Sequence, residues 1–184
     1  MKKLNLSNNK VILSEGFDKN MSEPLEAVWN FIESQDYRGA CHSTSALLYV
    51  LLSEKGYDPE IFIGELSLPN YGTLFDHSWI EIDGKVIDLA IALPYLKELD
   101  SDPIVMGRNV RTNKLSDLVY NSKSKHPKFD LDAQRVKGQS IYDYLDNAPD
   151  ELKVEFGKIL SAVLPDVSNS ELKEKYSKVY RTVK

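Results

Sequence analysis

The run from Ala46 to Leu52 is the feature that most constrains the fold, because it is apolar on every side of a helix. A helix of this kind is buried in the interior of a protein. Gly56 follows it and suits the left-handed conformation in which many helices end. The run is far shorter than the roughly 20 residues that a membrane-spanning helix requires. We therefore expect a central helix over residues 43–55, with the rest of the chain folded around it.

The only cysteine of the chain, Cys41, stands directly before this helix, in the sequence Gly39-Ala40-Cys41-His42-Ser43. The unpaired N–H groups and the positive dipole end of a helix N-terminus stabilise a thiolate. A single cysteine cannot form an internal disulfide, and the first nine residues lack the apolar run of a secretory signal. These features predict a reactive thiol in a reducing, cytoplasmic setting.

Residues 77–82 and 85–89 form a predicted β-hairpin, closed by the two-residue turn Asp83-Gly84. In this register Ile80 faces Ile87, so His77, Trp79 and Asp88 share one face of the hairpin. His77 and Asp88 are then diagonal neighbours, about 7–8 Å apart at the backbone and close enough for their side chains to meet. A loop one residue longer would move Asp88 to the other face.

The remaining segments are predicted from periodicity and from helix start and stop signals. Pro59 precedes a strand over residues 60–66. We expect one domain over residues 1–184, with a core at about 22–110, a polar surface connector at about 111–139 and a helical C-terminal part at about 140–184. The expected elements are a helix over 22–34 capped by Ser22, a short helix at 93–99, a strand-like piece at 104–106, helices over 140–146, 150–164 and 170–182, and an edge strand or strap at 11–13.

Together Cys41, His77 and Asp88 supply a nucleophile, a general base and acid, and a carboxylate that orients the imidazole. Acyl chemistry also requires donors for a developing oxyanion. The Cys41 N–H is the first, and the second must come from upstream; a resemblance in spacing to papain-like enzymes, whose oxyanion glutamine stands six residues before the cysteine, implies Gln35, with Trp29 or Tyr37 as substitutes. Trp79 is expected to shield the Asp–His hydrogen bond from water. Two further histidines are interpreted as noncatalytic: His42, expected to point away from Cys41, and His126, in the connector.

Other classes of function find less support in the composition. A thiolate, an imidazole and a carboxylate can hold zinc, but the chain lacks paired ligand spacing. Acidic residues exceed basic ones, with a net charge of −5, which argues against a nucleic-acid binder. No phosphate-binding loop or dinucleotide fingerprint is present. We expect no metal, no cofactor, no nucleic-acid partner and no membrane partner, but a peptide or protein substrate; the oligomeric state stays open.

The order of these parts resembles the transglutaminase-like superfamily of papain-type cysteine enzymes over about residues 35–90. The shared pattern is Cys41 at a helix start, His77-x-Trp79-x-Glu81 on a strand and Asp88 on the next strand. The resemblance implies an α+β fold with papain-like topology: a buried cysteine helix packed on an antiparallel sheet, with a helical C-terminal extension. It also implies Cys41, His77 and Asp88 as the catalytic triad. The chain departs from the commonest pattern by having Leu89, not proline, after the aspartate.

The expected function is cysteine-dependent acyl transfer on an amide or peptide, through a thioester. Hydrolysis, by a cysteine protease (peptidase) or by an amidase or deamidase, is the first interpretation. Transamidation, in which an amine replaces water as acceptor, is the second. A noncatalytic binding module that keeps the fold is the alternative from another class. The substrate is left open.

Overall fold

The computed structural model describes residues 11, 14, 18–68, 72–121 and 129–184. It is a mixed α+β structure, as the sequence predicts. Its helices are α1 (Lys19–Ser34), α2 (Cys41–Glu54), α3 (Leu131–Lys137), α4 (Ile141–Asp146), α5 (Asp150–Val163) and α6 (Asn169–Tyr176). Its strands are β1 (Glu60–Leu68), β2 (Thr73–Ile82), β3 (Lys85–Ile87), β4 (Ile104–Val105), β5 (Arg108–Asn109), β6 (Val119–Tyr120) and β7 (Thr182–Val183), with 3-10 turns at Ala90–Ala92 and Lys97–Leu99.

Helix α2 lies at the centre of the main hydrophobic core. Leu47, Leu51 and Leu52 are completely buried, and the helix packs on β2 at one side and on α1 at another. The core also takes in Ile80 and Ile87, from the face of the hairpin that carries neither His77 nor Asp88. The prediction that the apolar helix is buried is confirmed, since no side of α2 could be exposed without leaving several leucines in water.

The main sheet runs in the order β3-β2-β1-β6, with each neighbouring pair antiparallel. Strand β7 adds a parallel pairing to β1, through Phe62 opposite Thr182. The predicted register of the hairpin is confirmed: Ile80 lies opposite Ile87. Asp83 and Gly84 have φ angles of 51° and 69°, so the turn has the doubly left-handed backbone that two-residue hairpins favour.

Helix α1 begins earlier than predicted, at Lys19. The N-cap is Asp18, whose carboxylate accepts the Asn20 N–H at 2.8 Å, whereas Ser22 lies inside the helix. Asp18 can therefore satisfy a first-turn donor four residues before the predicted cap. Val11 is buried and helical, not part of a strand. Ile12, Leu13 and His126 lie outside the described residues.

Three later predictions need correction. In place of the helix expected at 93–99 the chain has the single 3-10 turn Lys97–Leu99, since Pro94 disfavours helical backbone at the residue before it. The helix expected to reach residue 182 ends at Tyr176, and β7 instead pairs with a free edge of β1. The segment 111–139 is more than a surface connector, because it contains β6 and α3. In the described part of the chain, no helix combines the length and apolar character needed to cross a membrane.

Candidate active site

His77 and Asp88 form a buried ion pair at the open end of the β2–β3 hairpin. The Nε2 atom of His77 lies 2.7 Å from Oδ2 of Asp88, and the two side chains are only 4% and 2% exposed. Because the hairpin register places both side chains on one face, the contact needs no distortion of the strands. Nε2 is occupied by the carboxylate, so Nδ1 is the ring nitrogen left to face a nucleophile.

Asp88 is held by more than this histidine. The Tyr120 hydroxyl donates to Oδ2 at 2.8 Å, and the Ile91 N–H donates to Oδ1 at 3.2 Å. The Asp88 backbone also exchanges two hydrogen bonds with Ile104. Burial, followed by the Asp88 charge, raises the pKa of Tyr120 well above its ordinary value, so the phenol stays protonated and donates. The carboxylate is thus fixed in orientation from several directions.

Tyr120 is a site residue that the sequence reasoning missed. It lies on β6, within the segment interpreted as a polar connector. Its ring also packs against Trp79, with the centroids 5.0 Å apart. The only local signal is the short run Leu118-Val119-Tyr120, in which a β-branched and an aromatic residue stand together between Asp117 and Asn121.

Cys41 is the first residue of α2 and is 8% exposed. Together with His42 and His77 it lines a cavity of about 350 Å³. The N-cap, Ala40, makes no side-chain capping bond. The N–H groups of the first helical turn are therefore not occupied by a cap and can face an anion at the cavity.

The charges around Cys41 favour a thiolate. Burial alone would raise the pKa of the thiol, but the charges of His42 and His77, and hydrogen bonds to both rings, lower it well below its ordinary value. Burial would likewise lower the pKa of His77, but Asp88, and then Cys41, raise it to about 10. The two shifts together favour a thiolate next to an imidazolium, the form in which a cysteine is nucleophilic.

His42 does not point away from Cys41 as predicted. It lines the same cavity, and its Nδ1 atom lies 2.7 Å from the Ser78 hydroxyl. Ser78 precedes Trp79 on β2 and occupies the other face of the strand from His77. This hydroxyl provides a partner that draws the imidazole toward the sheet, a long-range contact that helical geometry alone does not reveal.

The expected oxyanion residues lie elsewhere. Gln35 is exposed at the C-cap of α1 and is not part of the cavity lining. The Tyr37 hydroxyl meets Ser43 Oγ at 3.3 Å, behind the first turn of α2. Trp29 is buried in the core. Trp79 is fully buried, donates to Glu81 at 2.8 Å and contacts Tyr120, with the ring centroids 5.0 Å apart.

The cavity has two chemically different walls. The segment 90–99 contributes the apolar residues Ala90, Pro94, Tyr95, Leu96 and Leu99, of which Tyr95 is 83% exposed. Strand β2 and the start of α3 contribute Phe75 and the carboxylates of Asp76, Asp130 and Asp132. A ligand with an apolar part and a positively charged part fits such a surface.

No protein-family model, no curated protein and no solved structure has a significant match to this chain. Among residues 11, 14, 18–68, 72–121 and 129–184, no group of three or more His, Cys, Asp or Glu side chains is arranged to hold a metal ion.

Proposed function

We propose that this protein is a papain-type, transglutaminase-like cysteine enzyme that transfers the acyl group of an amide or peptide through a thioester, with water as the acceptor. One observation carries the proposal: His77, bonded to Asp88 at 2.7 Å, lines the same cavity as Cys41 at a helix N-terminus. An inert core cysteine requires neither a cavity nor a charged imidazole beside it.

In the first step, the Cys41 thiolate attacks the carbonyl carbon and the carbonyl electron pair moves to oxygen. As the tetrahedral intermediate collapses, the C–N bond breaks and the leaving amine takes a proton from Nδ1 of His77. Water then attacks the thioester, and the now neutral His77 removes its proton. The C–S bond breaks, the acid is released, and the thiolate and the imidazolium are restored. Asp88 holds the imidazole in place through both steps.

The developing oxyanion requires hydrogen-bond donors. The Cys41 N–H, at a helix N-terminus without a side-chain cap, is the first. His42 takes the place expected of Gln35, because its ring lines the cavity and Ser78 occupies Nδ1, leaving Nε2 as the remaining ring nitrogen. Both oxyanion donors would then belong to α2.

Transamidation is the second candidate, and the acidic wall of the cavity favours it. The carboxylates of Asp76, Asp130 and Asp132 would attract a protonated amine such as a lysine side chain. After losing one proton to solvent, the amine would attack the thioester in place of water; the neutral His77 would take its second proton, and the C–S bond would break to release the amide and the Cys41 thiolate. The two candidates differ in the product, which is a free acid in one case and a new amide in the other.

Iodoacetamide labelling across pH, followed by mass spectrometry, tests the activated thiol. Cys41 is the only cysteine, so every label reports on it. We expect the folded protein to label with a midpoint well below the ordinary cysteine pKa of about 8.5. His77→Ala should raise the midpoint, and the urea-unfolded wild type serves as the unactivated reference. Folded and unfolded protein labelling with one midpoint, unchanged in His77→Ala, would favour a noncatalytic binding module.

Incubation with a peptide mixture then identifies the acyl donor. We expect a thioester adduct on Cys41 and, after turnover, either the acid or, with an added amine, the amide. Cys41→Ser serves as the control that cannot form a thioester. An activated thiol that traps no acyl group from any peptide would restrict the proposal to other acyl donors.

A further inference from the structure

A buried arginine lies behind the proposed nucleophile. Arg181, directly before β7, is only 4% exposed. Its Nη2 donates to the carbonyl of His42 at 2.9 Å, in the first turn of α2, and its Nη1 donates to the carbonyl of Val136 at 3.5 Å. The guanidinium carbon lies 4.6 Å from the centroid of the Tyr144 ring.

This charge has no carboxylate partner among the described residues. Its Nε atom is buried, and none of the residues that the structure describes gives it a hydrogen-bond partner. Burying a cation in this way has a large free-energy cost unless an anion lies nearby. The N-terminus of α2 increases this cost, because its dipole end is also positive. A negative charge close to the guanidinium would therefore offset the cost of burying it.

The groups that face Arg181 come from three helices. Helix α3 offers only the Val136 carbonyl, and α4 offers Tyr144. Burial raises the pKa of Tyr144, so this phenol is neutral. Helix α2 offers His42 and Cys41. Burial lowers the pKa of Arg181 to about 10, against the opposing effects of Tyr144 and Cys41. Of these groups, only the Cys41 thiol can be an anion near neutral pH.

We propose that Arg181 is a positioning residue for Cys41, holding the first turn of α2 by the His42 carbonyl while its buried charge favours the thiolate. The inference rests on the proposed function, since it takes Cys41 as the nucleophile. Tyr144 connects Arg181 to the same turn, because its hydroxyl meets Ser43 Oγ at 3.0 Å. Strand β7 holds Arg181 in place through the pairing of Thr182 with Phe62. The C-terminal segment thereby becomes part of the active site.

Two substitutions separate the charge from the hydrogen bonds. Arg181→Gln keeps an amide donor for the His42 carbonyl but removes the charge. Arg181→Lys keeps the charge but loses the paired N–H donors of the planar guanidinium. We expect Arg181→Gln to raise the iodoacetamide midpoint by about one pH unit, which is about a tenfold loss of labelling rate below the midpoint. Arg181→Lys should stay near the wild-type midpoint. Arg135→Met, at an exposed position of α3, is the control for net charge.

A natively folded Arg181→Gln protein with the wild-type midpoint would overturn the inference. So would equal midpoints for Arg181→Gln and Arg181→Lys, both raised, because the charge would then have no role. Near-UV circular dichroism identifies variants that keep the native packing. If His77→Ala raises the midpoint and Arg181→Gln does not, only this inference fails. If the wild-type thiol labels like an unfolded one, the proposed function fails.

Discussion

At the scale of single residues, the state of Cys41 is decided by a competition between burial and charge. Burial raises the pKa of the thiol, while His42 and His77 lower it, and the histidines prevail. His77 can stay protonated in a buried place because Asp88 compensates its charge. In the proposed mechanism, the reactivity of the thiol therefore depends on a carboxylate that does not itself react.

Replacing Asp88 by asparagine tests this dependence. Asp88→Asn keeps the shape of the side chain but removes the charge that raises the pKa of His77 to about 10. We expect turnover of a trapped peptide substrate to fall by about 10⁴-fold, and the alkaline limit of activity to move to lower pH. Asp100→Asn is the matched control, because Asp100 pairs with Arg38 and is not part of the cavity lining. A pH profile unchanged in Asp88→Asn would contradict the assigned role.

At the scale of secondary structure, β1 connects the parts of the site. Strand β2, with His77, pairs along one edge of β1, and β6, with Tyr120, pairs with it as well. Strand β7, which follows Arg181, adds a parallel pairing. Gly64 of β1 lies opposite His77. A Cβ atom at this position would lie 2.7 Å from the Lys184 carbonyl oxygen, closer than real Cβ atoms approach.

Gly64→Ala should therefore displace β7. We expect a loss of about 1–3 kcal/mol in the free energy of unfolding, as in other overpacked sites. The labelling midpoint of Cys41 should also rise, because Arg181 moves with the strand.

Gly157→Ala is the control, because Gly157 lies within α5 with nothing close to the new methyl group. This substitution should raise the free energy of unfolding by about 0.5–1 kcal/mol. Urea unfolding measures both. A Gly64→Ala protein as stable as wild type would contradict this prediction, because β7 would then accommodate the methyl group without loss of stability.

At the scale of the whole molecule, the paired shifts of Cys41 and His77 determine how stability depends on pH. Folding raises the pKa of His77 from 6.5 to about 10. Its contribution to the free energy of unfolding is therefore complete below pH 6.5 and is lost as the pH rises through about 10. Folding lowers the pKa of Cys41 well below its unfolded value of 9.0. Its contribution to the free energy of unfolding is therefore present above pH 9.0 and is lost as the pH falls through the pKa of the folded protein. Between 6.5 and 9.0 the two slopes are opposite and cancel.

Cys41→Ser should break this cancellation. Only the His77 slope remains, because Asp88 still raises the pKa of that imidazole. We expect the free energy of unfolding of Cys41→Ser to fall relative to wild type as pH rises from 6.5 to 9.0, by at most about 1.4 kcal/mol per pH unit. In the double variant Cys41→Ser/His77→Gln, the free energy of unfolding should depend on pH in parallel with that of the wild type, because both slopes are removed. Parallel curves for Cys41→Ser and wild type in urea unfolding would exclude a thiolate–imidazolium pair.

The parts predicted correctly from the sequence depend on local interactions. The buried helix α2 follows from a run that is apolar on every side, and the hairpin register follows from Asp83-Gly84, which adopts positive φ at both positions. With the register known, the shared face of His77 and Asp88 follows by counting residues. These features need no knowledge of distant segments.

The remaining parts of the site depend on contacts between distant segments. Tyr120 meets Asp88 across 32 residues, and Arg181 meets His42 across 139. Such contacts leave no periodic signal in a single sequence, so spacing alone points to Gln35, which is not part of the cavity lining, and overlooks His42, which is. The sequence alone determined the thiol at a helix start and the paired imidazole and carboxylate, because turn geometry and hydrophobic periodicity act over a few residues. Only the tertiary structure decided what surrounds them, because long-range packing depends on the whole folded chain.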